Sequence, residues 1–355
     1  MEKNDVNINP YISVIITAHN RTEFLEDAIR SVLSQSLERS FYEIIVVKNF
    51  ENQVIDGIIR ESKIISLRAE NESLMGEDLA LGLERSSGEV LCFLEDDDKF
   101  THEKLQAVYS AFKKFEKLTY FHNGEIFIDE RNNNVKFWPL NLDEDILLEE
   151  IRDVGQLLRL MKYGLYFNTS SMAVRKNNIM PYIDQLKLMQ FGNDDFMFFT
   201  SMHTQPRMFM ISSEKLTMYR VHQSTSVFLN EKKEDFIGNL IEMLSKSLRS
   251  KQVISQIVED DGLLNSLINY SIINDKLQIY FLNRNISIHL KDILLYLKVS
   301  LKSKEGNRVV TAVYYAALLI LSKISRNRIK KLYSYRLFRY NQKNTIIKAQ
   351  INNVQ

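Results

Sequence analysis

The sequence predicts an α/β fold, a sheet flanked by helices and followed by an α-helical C-terminal region, and three observations carry that expectation. Through the first hundred residues, β-branched apolar runs alternate with amphipathic stretches. The runs are nearly continuous rather than alternating, which marks strands of a parallel sheet buried on both faces. After about residue 229 almost everything reads as helix, with no internal repeat or low-complexity tract.

Residues 11–17 (YISVIIT) form the first expected strand and 22–36 the first helix. In that helix Phe24, Leu25, Ala28, Ile29, Val32 and Leu33 recur at helical spacing. Strands follow at 42–47 (YEIIVV), 63–67 and 90–94, with helices near 51–60 and 76–85 between them. Beyond lie a helix over 101–115, a strand over 118–128 and a hairpin tip at 131–134. A helix over 145–162, a strand over 168–175, a helix over 193–203 and strands over 208–220 complete the unit. Two domains are expected, residues 1–228 and a basic helical extension over 229–355.

The chain has 355 residues, enough for about two folding units at ~150 residues each. Hydrophobic residues make up 45% and charged residues 26%, a globular balance rather than a disordered one. The single cysteine, Cys92, sits in an apolar run, so an intrachain disulfide is impossible and a reducing compartment fits. The opening MEKNDVNINP is polar, so secretion is not indicated, and the expected location is cytoplasmic, at the inner face of a membrane if the extension docks there. No run reaches the ~20 apolar residues of a spanning helix; residues 309–324 come nearest.

The net charge of +1 hides a segregation, −12 over residues 1–280 and +13 over residues 281–355. The basic tail interleaves Arg326, Arg328, Lys330, Lys331, Arg336 and Arg339 with tyrosines, a pattern that suits anionic headgroups or a helical extension packed on the core. No base-reading motif accompanies it, so no nucleic acid is expected.

In open α/β sheets ligands bind at the carboxyl ends of the strands. There stands FLEDDDKF, with Glu95, Asp96, Asp97 and Asp98 directly after a buried strand. Adjacent carboxylates repel and lose hydration together, so the cluster calls for a compensating cation. Oxygen ligands of this kind suit Mg²⁺ or Mn²⁺ bound with substrate phosphates; the alternative is a solvated acidic turn. In FGNDDFMFF, Asp194 and Asp195 start an apolar helical run. One carboxylate reads as a helix cap, the other as a general base. In YRVHQSTS, His222 reads as a metal ligand, a phosphate donor or a loop histidine, and Arg220 as a fork for a diphosphate. Trp138, Tyr163 and Tyr166 either stack on a sugar ring or pack in the core or hairpin.

These segments in this order, over residues 11–226, resemble the family 2 glycosyltransferases of the GT-A fold, whose mixed sheet is Rossmann-like. The resemblance implies an inverting transferase that moves a sugar from a nucleotide-diphosphate donor to a hydroxyl of a glycan or lipid-linked glycan with a divalent metal, Mg²⁺ or Mn²⁺. It implies that Thr17, Ala18, His19, Asn20 and Arg21 line the nucleotide, with Glu95 at the first position of the D-x-D segment near the ribose and Asp96 beside it. Asp97 then falls at the metal, with Asp98 supporting and His222 at the metal or diphosphate. Asp195 aligns with the general base and Asp194 with the acid before it. Two segments depart from the family pattern. Lys48 and Asn49 stand where an aspartate usually reads the base, and Gly76-Glu77-Asp78 stands near a missing Arg-Asn. The rival classes are a GT-A-like module kept for binding or scaffolding, and a nucleotidyltransferase, which the lack of a glycine-rich loop after the first strand disfavours.

Overall fold

The computed structural model describes residues 10–135, 142–151, 153–222, 232–283 and 286–352. Trp138, residues 223–226 and the expected boundary at 228/229 lie outside them. The chain opens with β1 (Ile12–Ala18), α1 (Leu25–Leu33), β2 (Tyr42–Lys48), α2 (Gln53–Glu61), β3 (Ile65–Arg68), α3 (Met75–Arg85) and β4 (Val90–Glu95). The four strands run parallel in the order β3-β2-β1-β4. Their continuous apolar character follows from cover on both faces. Val14, Ile16, Cys92 and Leu94 enter one core, and Ile15, Leu91 and Phe93 enter the other.

The second part reverses strand polarity. It comprises β5 (Lys99–Phe100), α4 (Lys104–Lys114), β6 (Leu118–Ile128), β7 (Ile146–Leu148), α5 (Val154–Leu160), β8 (Met172–Arg175), α6 (Lys176–Ile179), α7 (Ile183–Leu186), α8 (Asn193–His203) and β9 (Met208–Arg220). β8 lies antiparallel between β4 and β6, and β9 runs parallel to β6 but antiparallel to β5 and β7. Among the described residues the result is a nine-stranded mixed sheet, β3-β2-β1-β4-β8-β6-β9-β5 with β7 on β9.

Two expected elements change. The helix expected over 145–162 is β7 followed by α5. Asp145 accepts from the Ser213 backbone N–H at 2.7 Å, which lays residues 146–148 along β9, and Asp153 accepts from Gln156 N–H at 3.0 Å, so the helix begins only at Val154. The strand expected over 168–175 shortens to Met172–Arg175. Asn168 adopts φ +62° and its side chain accepts from Ser170 N–H at 3.0 Å, coiling residues 169–171 instead.

Five helices follow, α9 (Lys233–Ile257), α10 (Gly262–Leu282), α11 (Leu290–Lys302), α12 (Gly306–Ile324) and α13 (Arg326–Asn352). One apolar core runs without a break from Phe93 and Tyr120 in the sheet, through Phe196 and Phe199 of α8, to Leu244, Leu277, Tyr315 and Tyr333 of these helices. The tail therefore packs on the core by one face. Eleven of the fourteen large apolar side chains exposed among the described residues nevertheless lie on α11–α13, so their other face is both apolar and basic. Contrary to the expected short run, α12 with its 19 residues is long and apolar enough to cross a membrane by length and composition alone.

Candidate active site

A cavity of about 270 Å³ opens at the carboxyl ends of β1 and β4, and Thr17, His19, Arg21, Asp78, Glu95, Asp96 and Asn193 line it. The β1 loop is held from β2. Asn20 takes φ +56°, which asparagine tolerates, and Asn49 Oδ1 accepts from Asn20 N–H at 2.8 Å while Asn49 Nδ2 donates to Asn20 Oδ1 at 2.9 Å. Asn49 thus latches the loop. Lys48 does not line the cavity, because its buried ammonium donates to Phe50 O at 2.6 Å and pairs with Asp56 at 2.8 Å. His19 Nδ1 donates to Asp78 Oδ2 at 3.0 Å, so the Gly76-Glu77-Asp78 segment does reach the site. It gets there because Gly76 lets α3 approach closely: a Cβ at that position would stand 1.9 Å from Leu186 O.

The acidic cluster finds its cations within the protein. Arg21 Nε donates to Asp96 Oδ2 at 2.8 Å, and its Nη2 reaches Asp96 Oδ1 and lies 2.7 Å from Asp97 Oδ2. His222 Nε2 donates to the same Asp97 oxygen at 2.8 Å. Against burial, which would raise it, these partners hold Asp97 below the ordinary carboxylate range. Asp98 accepts from Asn168 Nδ2 at 2.9 Å and from Arg220 N–H at 3.0 Å, yet burial and the neighbouring Asp97 push it up to about 7. Burial, with Asp97, Asp98 and Asp194 adding, holds Glu95 well above the usual range. Arg220 differs from the expected diphosphate fork. It is fully buried, and its guanidinium donates to Asp97 O (2.8 Å), Asp129 O (3.0 Å), Asn132 Oδ1 (3.0 Å) and Asp27 Oδ2 (3.2 Å), fastening the acidic turn to the 129–132 tip.

Asp97, Asp98 and His222, expected at a divalent cation, do not form a vacant donor set. Both Asp98 oxygens carry donors, and Arg21 and His222 share the Asp97 oxygen a cation would take. Among the described residues no group of three or more histidine, cysteine, aspartate or glutamate side chains is disposed to hold a metal. As it stands the cluster fits a guanidinium, not a metal ion.

Opposite the cluster, α8 starts at Gly192, whose φ of +76° turns the chain so that Asp194 and Asp195 fall in the first helical turn, where the helix dipole favours negative charge. Asp194 Oδ1 accepts from Asp195 N–H at 2.9 Å, which makes Asp194 the structural member of the pair. Asp195 remains half-buried; burial, with Asp194 and Asp275 adding, pushes it up to about 7 against the pull of Lys251. That cation comes from α9, where three consecutive residues serve the site. Arg249 donates to Gln190 Oε1 at 2.8 and 3.0 Å, and Ser250 Oγ accepts from Gln190 N–H at 3.1 Å and Phe191 N–H at 3.2 Å. Lys251 pairs with Asp275 of α10 at 2.7 Å. None of these four residues stands in a motif, and only a continuous helix through 249–251 with a lone aspartate on the next one hints at them.

The family described as glycosyl transferase family 2 matches residues 13–192, half of the chain. The chain belongs to glycosyltransferase family 2. Among relatives, it is 30% identical over 105 residues to the putative teichuronic acid biosynthesis glycosyltransferase TuaG of Bacillus subtilis, covering 28% of this chain and 41% of that one. It is 32% identical over 96 residues to glycosyltransferase AglE of Haloferax volcanii, covering 25% of this chain and 31% of that one. The chain thus spans less than half the length of either relative. Among solved structures, S. aureus TarS 1–349 in complex with UDP superposes with a TM-score of 0.54 at 12% identity, covering 93% of this chain and 91% of that one. The shared architecture is the GT-A fold.

Proposed function

We propose that this family 2 glycosyltransferase binds a nucleotide-diphosphate sugar in the 270 Å³ cavity and inverts the anomeric centre in a single displacement by an acceptor hydroxyl. The observation that carries this reading is that one cavity is lined from both sides, by Arg21 and Asp96 on one wall and by Asn193, two residues before Asp195, on the other. Asp195 accepts the proton of the attacking hydroxyl, and Arg21, already at the cavity wall, faces the charge that builds on the departing diphosphate. TarS, with the same fold, is a protein crystallised with UDP, which makes UDP the first nucleotide to test. The test is a thermal-shift series of nucleoside diphosphates, with and without Mn²⁺ or Mg²⁺. A shift from one nucleotide supports the donor site; no shift from any of them overturns it.

The divalent ion that the family resemblance implies receives no step here. It would have to displace Arg21 and His222 from Asp97. For the acceptor we propose a glycan or lipid-linked glycan, reached at the cytoplasmic face of an anionic membrane. The support is the exposed apolar side chains Leu290, Leu294, Val310, Val313 and Ile324 of α11 and α12, with the exposed bases Arg326, Arg328, Lys330 and Lys331 opening the helix that follows. Co-sedimentation with vesicles containing phosphatidylglycerol, lost in high salt, checks the docking; equal binding to neutral vesicles, or none, overturns it.

A further inference from the structure

A second cavity, of about 300 Å³, lies between the loop carrying Tyr166 and helices α10, α11 and α12. That size sits at the low end of small-molecule sites. Its wall is built from rings and short polar groups. Tyr270 and Tyr296 stack with centroids 4.5 Å apart and planes 7° from parallel, and Tyr296 Oη donates to Asn274 Oδ1 at 3.1 Å. Arg308, also in the wall, donates to Glu305 Oε2 at 2.5 Å and to Leu158 O at 3.0 Å. These bonds fix the wall before any ligand arrives, so little side-chain freedom remains to be lost on binding.

The lining selects a chemical class. The Tyr166 ring and the outer rim of the closed Tyr270–Tyr296 pair offer apolar surface to the C–H side of a sugar, while Asn274, Asn307 and the remaining Arg308 N–H groups suit hydroxyls. Glu305 offsets the Arg308 charge, which disfavours a free phosphate and favours a neutral polyhydroxyl ligand.

The cavity is linked to Asp195 through Tyr166. Tyr166 lines it, and the Tyr166 ring stacks on Phe198, one helical turn beyond Asp195, with centroids 5.1 Å apart. Burial raises the Tyr166 phenol, and among its charged neighbours Asp195 adds most. The donor cavity lies on the Asn193 side of the same helix start.

We infer that this second cavity is the acceptor subsite, holding a neutral sugar ring of the acceptor against Tyr166, Tyr270 and Tyr296. The assignment rests on the transferase reading with Asp195 as base. All of the subsite's lining except Met161 and Tyr166 is then supplied by helices beyond the segment that carries the family signature.

The test is saturation-transfer NMR on the full chain, without nucleotide, using the methyl glycosides of glucose, galactose, N-acetylglucosamine and rhamnose. At least one should give a saturable signal. Asn307→Trp and Thr311→Trp, both at exposed positions on the cavity rim, should weaken that signal at least tenfold while the melting temperature stays unchanged. Silence from all four glycosides, binding indifferent to both variants, or displacement by inorganic phosphate overturns the assignment. The nucleotide thermal shift of the wild-type chain is read separately, so failure of the donor site and failure of the acceptor subsite give different results.

Discussion

The two walls of the cleft meet their negative charge by opposite routes. On the donor wall, Asp96 and Asp97 are met by Arg21 from the loop after β1 and by His222 just after β9, all within or beside the sheet. On the wall of the proposed base, Asp195 is opposed by Lys251, and its preceding loop is clamped by Arg249 and Ser250, all from α9 outside the sheet. The first wall is stitched by motif residues; the second is completed by residues that no motif contains. One consequence is that an added cation would have to displace Arg21 and His222 on the first wall, while the second depends on the packing of α9.

The sharpest break is Asp195→Asn, which removes the proposed proton acceptor without changing shape. Turnover should fall by about 10²–10⁴-fold with the nucleotide thermal shift retained; a normal rate in the variant would remove Asp195 from the mechanism. Next comes Arg21→Ala, which leaves buried Asp96 uncompensated and Asp97 with His222 alone, at a cost of about 3–5 kcal/mol in denaturant unfolding. The wild-type nucleotide shift should survive a chelator, whereas the variant should acquire a Mn²⁺-dependent stabilisation as Asp96 loses its cation and Asp97 keeps only His222. A wild-type shift abolished by chelator would show that a metal takes the seat of Arg21.

A subtler effect is expected with pH. Asp195 must be ionised to accept a proton, so kcat should rise as pH rises through about 7 and be lost below it. Lys251→Met withdraws the cation that favours ionisation, moving this limb to higher pH, and Lys251→Arg should restore it. A limb that stays in place in Lys251→Met would show that α9 acts by packing alone. The smallest effect is that of Ser250→Ala, which strands two backbone N–H groups and should lower stability by about 1–3 kcal/mol, read from the denaturant midpoint.

How far the sequence discloses this molecule follows the same division. The parallel strands, the acidic turn after β4 and the helix start at Asn193 were all expected, because each rests on a local pattern of apolar period or adjacent charge. Elements decided by a single long-range bond escaped. Asp145 meets β9 across 68 residues where the start of an expected helix becomes the strand β7, and Lys251 meets Asp275 across 24. Arg220 shows a related limit: its residue type suits a diphosphate, but burial commits its fork to backbone carbonyls and to Asp27 and Asn132. Residue type states what a side chain can bind, whereas the fold decides what remains for it to bind.

The unbroken core from Phe93 and Phe196 to Tyr315 and Tyr333 bears on how such a chain can be altered by recombination. An exchange of the C-terminal helices between relatives would bring in a new wall for the second cavity and a new cation beside Asp195 at the same stroke. It would succeed only where the incoming helices also refill the apolar seam under α8. Chain segments that carry the hereditary signature and segments that diversify the product would therefore travel together, joined by packing rather than by sequence.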